Sequence, residues 1–171
     1  MKRLQQILVD VKVSRYPDLI RGIIIEDGSQ WLTMAENVVD YVIDGYIFVN
    51  KVHIKQIIEQ PQDTITYGIL ALKCPPPLTI HLNNYVSLIE YLKSNNLLIA
   101  IGLHIQKSIM VGYVDEVREK SFVLVPIDAN LRKLPSIVIN YDTIRYISVK
   151  SDYLLSISNY LEHCSKRYFI S

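Results

Sequence analysis

Asp40 and Asp44 flank the run Tyr41-Val42-Ile43, and two carboxylates beside an aromatic ring are what a general acid and base would need. Turn chemistry accounts for them better, because Asp-Gly between two apolar runs is a strong hairpin signal and Asp44-Gly45 has that form. Asp115 and Glu116 form a second acidic pair, expected to face water close to Arg118-Glu119-Lys120. The four histidines, His53, His81, His104 and His163, are scattered, and none stands at ligand spacing from another His, Cys or carboxylate. Cys74 and Cys164 are too few for a disulfide framework and read as reduced, half-buried thiols. The six glycines are isolated, which leaves no phosphate-cradling loop and no nucleophile elbow. The expectation is a protein without catalytic residues, metal site or cofactor.

Recognition chemistry is better represented. Ser14-Arg15-Tyr16-Pro17-Asp18-Leu19-Ile20-Arg21 places two arginines and a tyrosine at a bend between strands. Together with Trp31, Asp40, Tyr41, Asp44 and Tyr46 they frame an amphipathic patch of the residue types that concentrate in interface hot spots. Trp31 is assigned to the interior of the first half instead, because Phe122 occupies what looks like the matching position later in the chain. Arg15, Tyr16, Arg21, Asp40 and Tyr46 remain as the candidate interaction surface. Twelve tyrosines against three phenylalanines suit shallow cores and wet surfaces, since the ring packs while the hydroxyl reaches water. The same bias would suit base stacking in a single-strand nucleic-acid binder.

These residues must be held by a fold, and the composition bounds it. The chain has 171 residues, 50% hydrophobic and 20% charged, enough apolar material for a core and no mark of bulk disorder. Lys and Arg number 18 against 17 Asp and Glu, with the signs intermixed. A protein that neutralises phosphates normally carries a basic excess, so nucleic acid is disfavoured as a partner. Asp10 ends the first apolar run before a signal-peptide core forms, and no apolar stretch is long enough to span a bilayer. A cytoplasmic protein with no membrane association is expected.

The chain also repeats. Gly22-Ile23-Ile24-Ile25, Gln30-Trp31-Leu32-Thr33-Met34, Tyr46-Ile47-Phe48-Val49-Asn50 and Ile54-Lys55-Gln56-Ile57 form one series of strand-like runs. Gly112-Tyr113-Val114, Ser121-Phe122-Val123-Leu124, Ile137-Val138-Ile139-Asn140 and Ile144-Arg145-Tyr146-Ile147 form another. Gly22 and Gly112, Asn50 and Asn140, Ile54 and Ile144, and Ile57 and Ile147 are each 90 positions apart, whereas Trp31 and Phe122 are 91 apart, as if one residue slipped in a loop. Ile7–Val13 and Leu98–Ile105 add a strand before each glycine. A helix or a strand is expected over Asp63–Leu72, since Thr64-Ile65-Thr66-Tyr67 has strand propensity as well, and helices are expected after an Asn83 or Asn84 cap and after Ser151-Asp152. Three prolines after Cys74 favour an extended linker. The expected organisation is a first unit over 1–73, a linker over 74–82, and a helix plus second unit over 83–171.

About five short strands per half, closed by an Ile-x-x-Ile step, resemble the SH3-like and Sm-like small barrels and, more loosely, paired-barrel proteins of uncharacterised bacterial families. The resemblance covers residues 7 to 58 and 97 to 149. It implies a mainly β (α+β) fold of two tandem SH3-like small barrels with short accessory helices. The sequence lacks the proline-binding aromatic set of SH3 grooves and the Gly-rich second motif of Sm proteins, so no family binding residues carry over. A non-enzymatic module that binds a protein partner or itself is the expected function. An Sm-like RNA-associated protein and a toxin-neutralising, immunity-like protein are the alternatives.

Overall fold

The computed structural model describes residues 7–62, 64–74, 84–104 and 109–167. Most of the expected linker, and His81, lie outside the described residues. Among the described residues, ten strands form one antiparallel sheet: β1 (Leu8–Val13), β2 (Leu19–Asp27), β3 (Trp31–Val39), β4 (Val42–Asn50), β5 (Ile54–Glu59), β6 (Ile99–Leu103), β7 (Ile109–Val117), β8 (Ser121–Pro126), β9 (Ile137–Asn140) and β10 (Ile144–Val149). Three helices accompany them: α1 (Ile65–Lys73), α2 (Tyr85–Ser94) and α3 (Asp152–Arg167). Among the described residues, no helix is long and apolar enough to cross a membrane.

The strand order is β5-β1-β2-β3-β4-β10-β6-β7-β8-β9. The sheet is mainly β as expected but stays open, and it is not closed as a barrel. The first five strands and the last five follow one order, and their pairings agree residue by residue at an offset of 90. Val9 faces Gly22 and Ile99 faces Gly112; Trp31 faces Asn50 and Ser121 faces Asn140. The β-bulges coincide too, with register shifts between Ile24 and Glu26 and between Val114 and Glu116. The same holds between Ile54 and Gln56 and between Ile144 and Tyr146. Bulges add local twist, so two sets of strands with equivalent bulges bend alike.

This register corrects the placement of Trp31. Leu32, not Trp31, is the counterpart of Phe122, because Leu32 faces Val49 as Phe122 faces Ile139. No residue slips in a loop. Since side chains alternate along a strand, a shift of one position moves Trp31 to the opposite face. Leu32 joins Val9, Val11, Val13, Ile20, Met34, Ile47 and Val49 in the cluster inside the first half. Trp31 and Phe48 point away from it and pack with Leu88, Ile89 and Leu92 of α2 and with Phe122, Leu124 and Ile147 of the second half. Tyr146 of β10 crosses in the other direction into the first-half cluster. The cores are shared, where the repeat suggested one private interior per half.

Two turn assignments also change. The β3–β4 hairpin turns at Asp40-Tyr41, with Asp40 at φ 41°, while Asp44-Gly45 lies inside β4. There the two residues oppose Glu36 alone, and Gly45 supplies the positive φ of 77°. Gly22 and Gly112 sit within β2 and β7 rather than at their starts. A Cβ at either would press on a carbonyl oxygen of the neighbouring strand, Ala35 O or Val125 O, so glycine permits the close approach.

Helix ends follow the capping residues. Thr64 accepts the Tyr67 N–H at the start of α1, and the Ser151 hydroxyl accepts the Leu154 N–H at the start of α3. Asn84 and Ser87 form a capping box on α2. Leu70 of α1 covers Leu8, Ile23, Ile25 and Ala35, the outer face of the first half.

Candidate interaction site

The five candidate surface residues divide between different parts of the fold. Arg15 and Tyr16 lie on the β1–β2 turn, and Asp40 lies at the β3–β4 tip. Because β2 and β3 are antiparallel with Gly22 opposite Glu36, that turn and that tip share one end of the sheet. Arg21 is elsewhere: its guanidinium donates to both oxygens of buried Asp10, at 2.6 and 2.9 Å, on the outer face of β1 and β2. Gln60 adds a third hydrogen bond to Asp10 at 2.9 Å. Arg21 therefore neutralises a buried carboxylate, which is a folding role. Tyr46 is half-buried, and burial raises the pKa of its hydroxyl, with smaller contributions from Tyr91 and Cys74. It lines a hollow of about 420 Å³ with Val42, Ile43, Gly45, Lys73 and Lys150.

The residues that sequence reasoning missed are aliphatic. Val38, Val39 and Val42 on the hairpin, and Leu19 at the start of β2, are all exposed, as is Tyr41, which the sequence placed in the patch. In the second half the corresponding hairpin is reduced: the β8–β9 ladder ends at Leu124 and Ile137, and residues 127–136 fold as a loop that keeps one isolated antiparallel bridge, Ile127 with Lys133. That loop walls an apolar cleft of about 620 Å³ with Met110, Ile137, Tyr153 and Ile157.

Next to the β1–β2 turn, the two halves are joined by polar contacts. Arg145, buried in the β10 bulge, donates to Arg15 O at 2.6 Å and also to Leu103 O, and its guanidinium lies 5.5 Å from the Tyr16 ring centroid. The Tyr16 and Tyr146 rings meet edge to face at 5.5 Å. His53 and His104 have ring centroids 5.0 Å apart. The Nε2–H of His53 donates to Asp142 O at 2.6 Å, so in the neutral ring Nδ1 accepts from the Ser14 hydroxyl at 3.3 Å. Burial lowers the pKa of His104, and the charges of His53, Arg15 and Arg145 lower it further. Tyr16, a candidate surface residue at this bend, thus also braces the seam between halves.

The carboxylate with the most altered environment is Glu36. Burial, then the charge of Asp44, pushes its pKa up to about 7, against a smaller opposing effect of the Ser148 hydroxyl at 3.4 Å. Asp40 takes no part, and Asp44 instead accepts the Asp152 N–H at 2.6 Å at the start of α3. A carboxyl whose folded pKa exceeds its unfolded value binds protons more tightly when folded, so stability falls as pH rises from about 4.5 to about 7. Glu36→Gln should therefore stabilise the protein at pH 8 by on the order of 2 kcal/mol and have little effect at pH 4. Urea unfolding at the two pH values checks this; equal effects at both would contradict it. Among the described residues, no three His, Cys, Asp or Glu side chains gather as metal ligands. Comparison with protein-family models, with curated proteins and with solved structures finds no match to this chain.

Proposed function

We propose that this chain is a non-enzymatic, cytoplasmic interaction scaffold. Two SH3-like units, residues 1–73 and 83–171 joined through 74–82, would present a surface to a protein partner or to a second copy of the chain. Each unit is in this reading a curled small barrel left unclosed. The observation that carries the reading is the exposed apolar hairpin tip of the first unit, Val38, Val39, Tyr41 and Val42, with Leu19, Arg15 and Asp40 at the same end of the sheet. An apolar cluster rimmed by charged side chains is the anatomy of a protein-binding patch. The second unit has no strand-paired tip of this length, only a loop with a single bridge between Ile127 and Lys133, so the tip is an elaboration of one copy rather than part of the shared framework.

Crosslinking in the native host, repeated with Val39→Asp and Val42→Asp, tests the reading. A specific protein should be captured by the parent chain and lost from both variants, whose far-UV circular dichroism stays unchanged. Capture that survives both substitutions, or turnover of a small molecule by the purified chain, would overturn it. Saturable RNA binding in low salt would favour the Sm-like alternative instead, and a captured toxin would make the partner an antagonist that this protein neutralises.

A further inference from the structure

The ends of the sheet are unpaired copies of the strands that meet in its middle. The two halves join where β4 pairs with β10, with Val49 opposite Tyr146, Phe48 opposite Ile147, Ile47 opposite Ser148 and Tyr46 opposite Val149. At an offset of 90, β10 corresponds to β5 and β4 to β9. β5 pairs only with β1 and β9 only with β8, so each leaves one edge open among the described residues. The molecule thus carries, at its two ends, the complementary halves of a junction that it already makes once internally.

Exposure follows the same logic. Ile147 and Phe48 are 0% exposed inside the junction. Their counterparts Ile57 and Val138 are 43% and 58% exposed, and Ile58 is 37% exposed. Asn50 makes the junction's polar clamp: its Nδ2 donates to Tyr141 O at 3.1 Å and to Ile144 O at 2.9 Å, across the seam. Asn140 has the same place at the end of β9, yet it is exposed and caps nothing with its side chain. An apolar, open edge is a template for pairing with another chain unless charge or proline blunts it. β9 carries neither, and β5 carries its lysine in the bulge and its glutamate at the end.

We propose that copies of this chain associate head to tail, the β9 edge of one pairing with the β5 edge of the next in the register of the internal junction. Ile57 then lies opposite Val138 of the next copy, Ile58 opposite its Ile137 and Gln56 opposite its Ile139. Asn140 reaches the carbonyls of the next copy's Lys51 and Ile54, as Asn50 reaches those of Tyr141 and Ile144. Two positions depart from the apolar match: Gln56 stands where Tyr146 packs, and Glu59 opposite Ser136 replaces the pair of Val149 and Tyr46. A heterologous contact of this kind leaves a new β9 and a new β5 edge at the ends of every pair. It therefore grows into a closed ring if the rotation per copy closes, and into a filament if it does not.

This inference rests on the scaffold reading in its self-binding form and is separable from capture of another protein at the hairpin tip. Sedimentation velocity of the full chain should show concentration-dependent species larger than a monomer. Ile57→Asp and Val138→Asp should each return it to monomer with unchanged far-UV circular dichroism, because both side chains are exposed in the single chain. In a Cys74→Ser, Cys164→Ser background, an equimolar mixture of Ile57→Cys and Val138→Cys chains should form a disulfide between unlike chains under copper-phenanthroline oxidation. Neither variant should do so alone. A chain that remains monomeric to about 1 mM overturns the proposal. So does a crosslink within one variant, which would mean a two-fold β5–β5 or β9–β9 contact. A monomer that still captures a partner through Val39 and Val42 would sink this inference and leave the scaffold reading standing.

Discussion

Trp31→Ala should destabilise the protein by about 3 to 5 kcal/mol, the usual cost of truncating a fully buried large aromatic. The loss should fall on both halves together. Trp31 issues from the first half, but its indole packs against α2 and the second-half core, and it meets the Tyr85 ring edge to face at 5.4 Å. Removing it opens a void at the one place where the two halves and α2 meet. The indole N–H has no hydrogen-bond partner among the described residues, so Trp31→Phe forfeits no polar contact and should cost distinctly less. Equilibrium urea unfolding followed by circular dichroism measures both. A Trp31→Ala loss below about 1 kcal/mol would mean that the seam is not packed as described. As the single tryptophan, Trp31 also reports the seam by fluorescence in the parent chain. Its transition should coincide with that of the sheet if the shared core unfolds as one unit.

The second large effect is a contrast between two asparagines. Asn50 is fully buried and its amide is fully used: Oδ1 accepts from Val52 N–H at 3.3 Å and from the Tyr85 hydroxyl at 2.9 Å, and Nδ2 donates to two carbonyls of the second half. Asn50→Ala removes these bonds and strands two buried carbonyls and two part-buried donors, a buried polar group costing about 1 to 3 kcal/mol when unsatisfied. Some regain partners on relaxation, so the expected loss is about 3 kcal/mol. Asn140→Ala, at the equivalent position, should change the stability of the single chain by less than about 0.5 kcal/mol, because that side chain is exposed. Its effect belongs to association instead, and it should weaken the larger species seen in sedimentation. Equal stability losses for the two substitutions would contradict the equivalence drawn between the seam and the free edges.

Local chemistry in the sequence determined much of the framework. Alternation in Leu8–Val13 marks a strand with Val9, Val11 and Val13 on one face, and Asn84 and Ser151 announce their helices because an N-cap needs only its own side chain and the next turn's N–H groups. The 90-residue spacing of Gly22 and Gly112, and of Asn50 and Asn140, is visible by eye, and the strand pairings keep it.

Only the tertiary structure decided what those positions do. Period-two alternation says which residues share a face and not which face meets the core, so one position of misalignment with Phe122 sent Trp31 to the wrong side of the sheet. Asp-Gly favours a hairpin turn and a glycine bulge alike, and the choice fell to pairing partners far along the chain. Ile57 and Ile147 have the same local sequence setting, yet one is exposed on an edge and the other buried at a seam. Edge or interior is a property of the assembled sheet, fixed by whichever strand comes to lie alongside, and no window of sequence around either residue contains that strand.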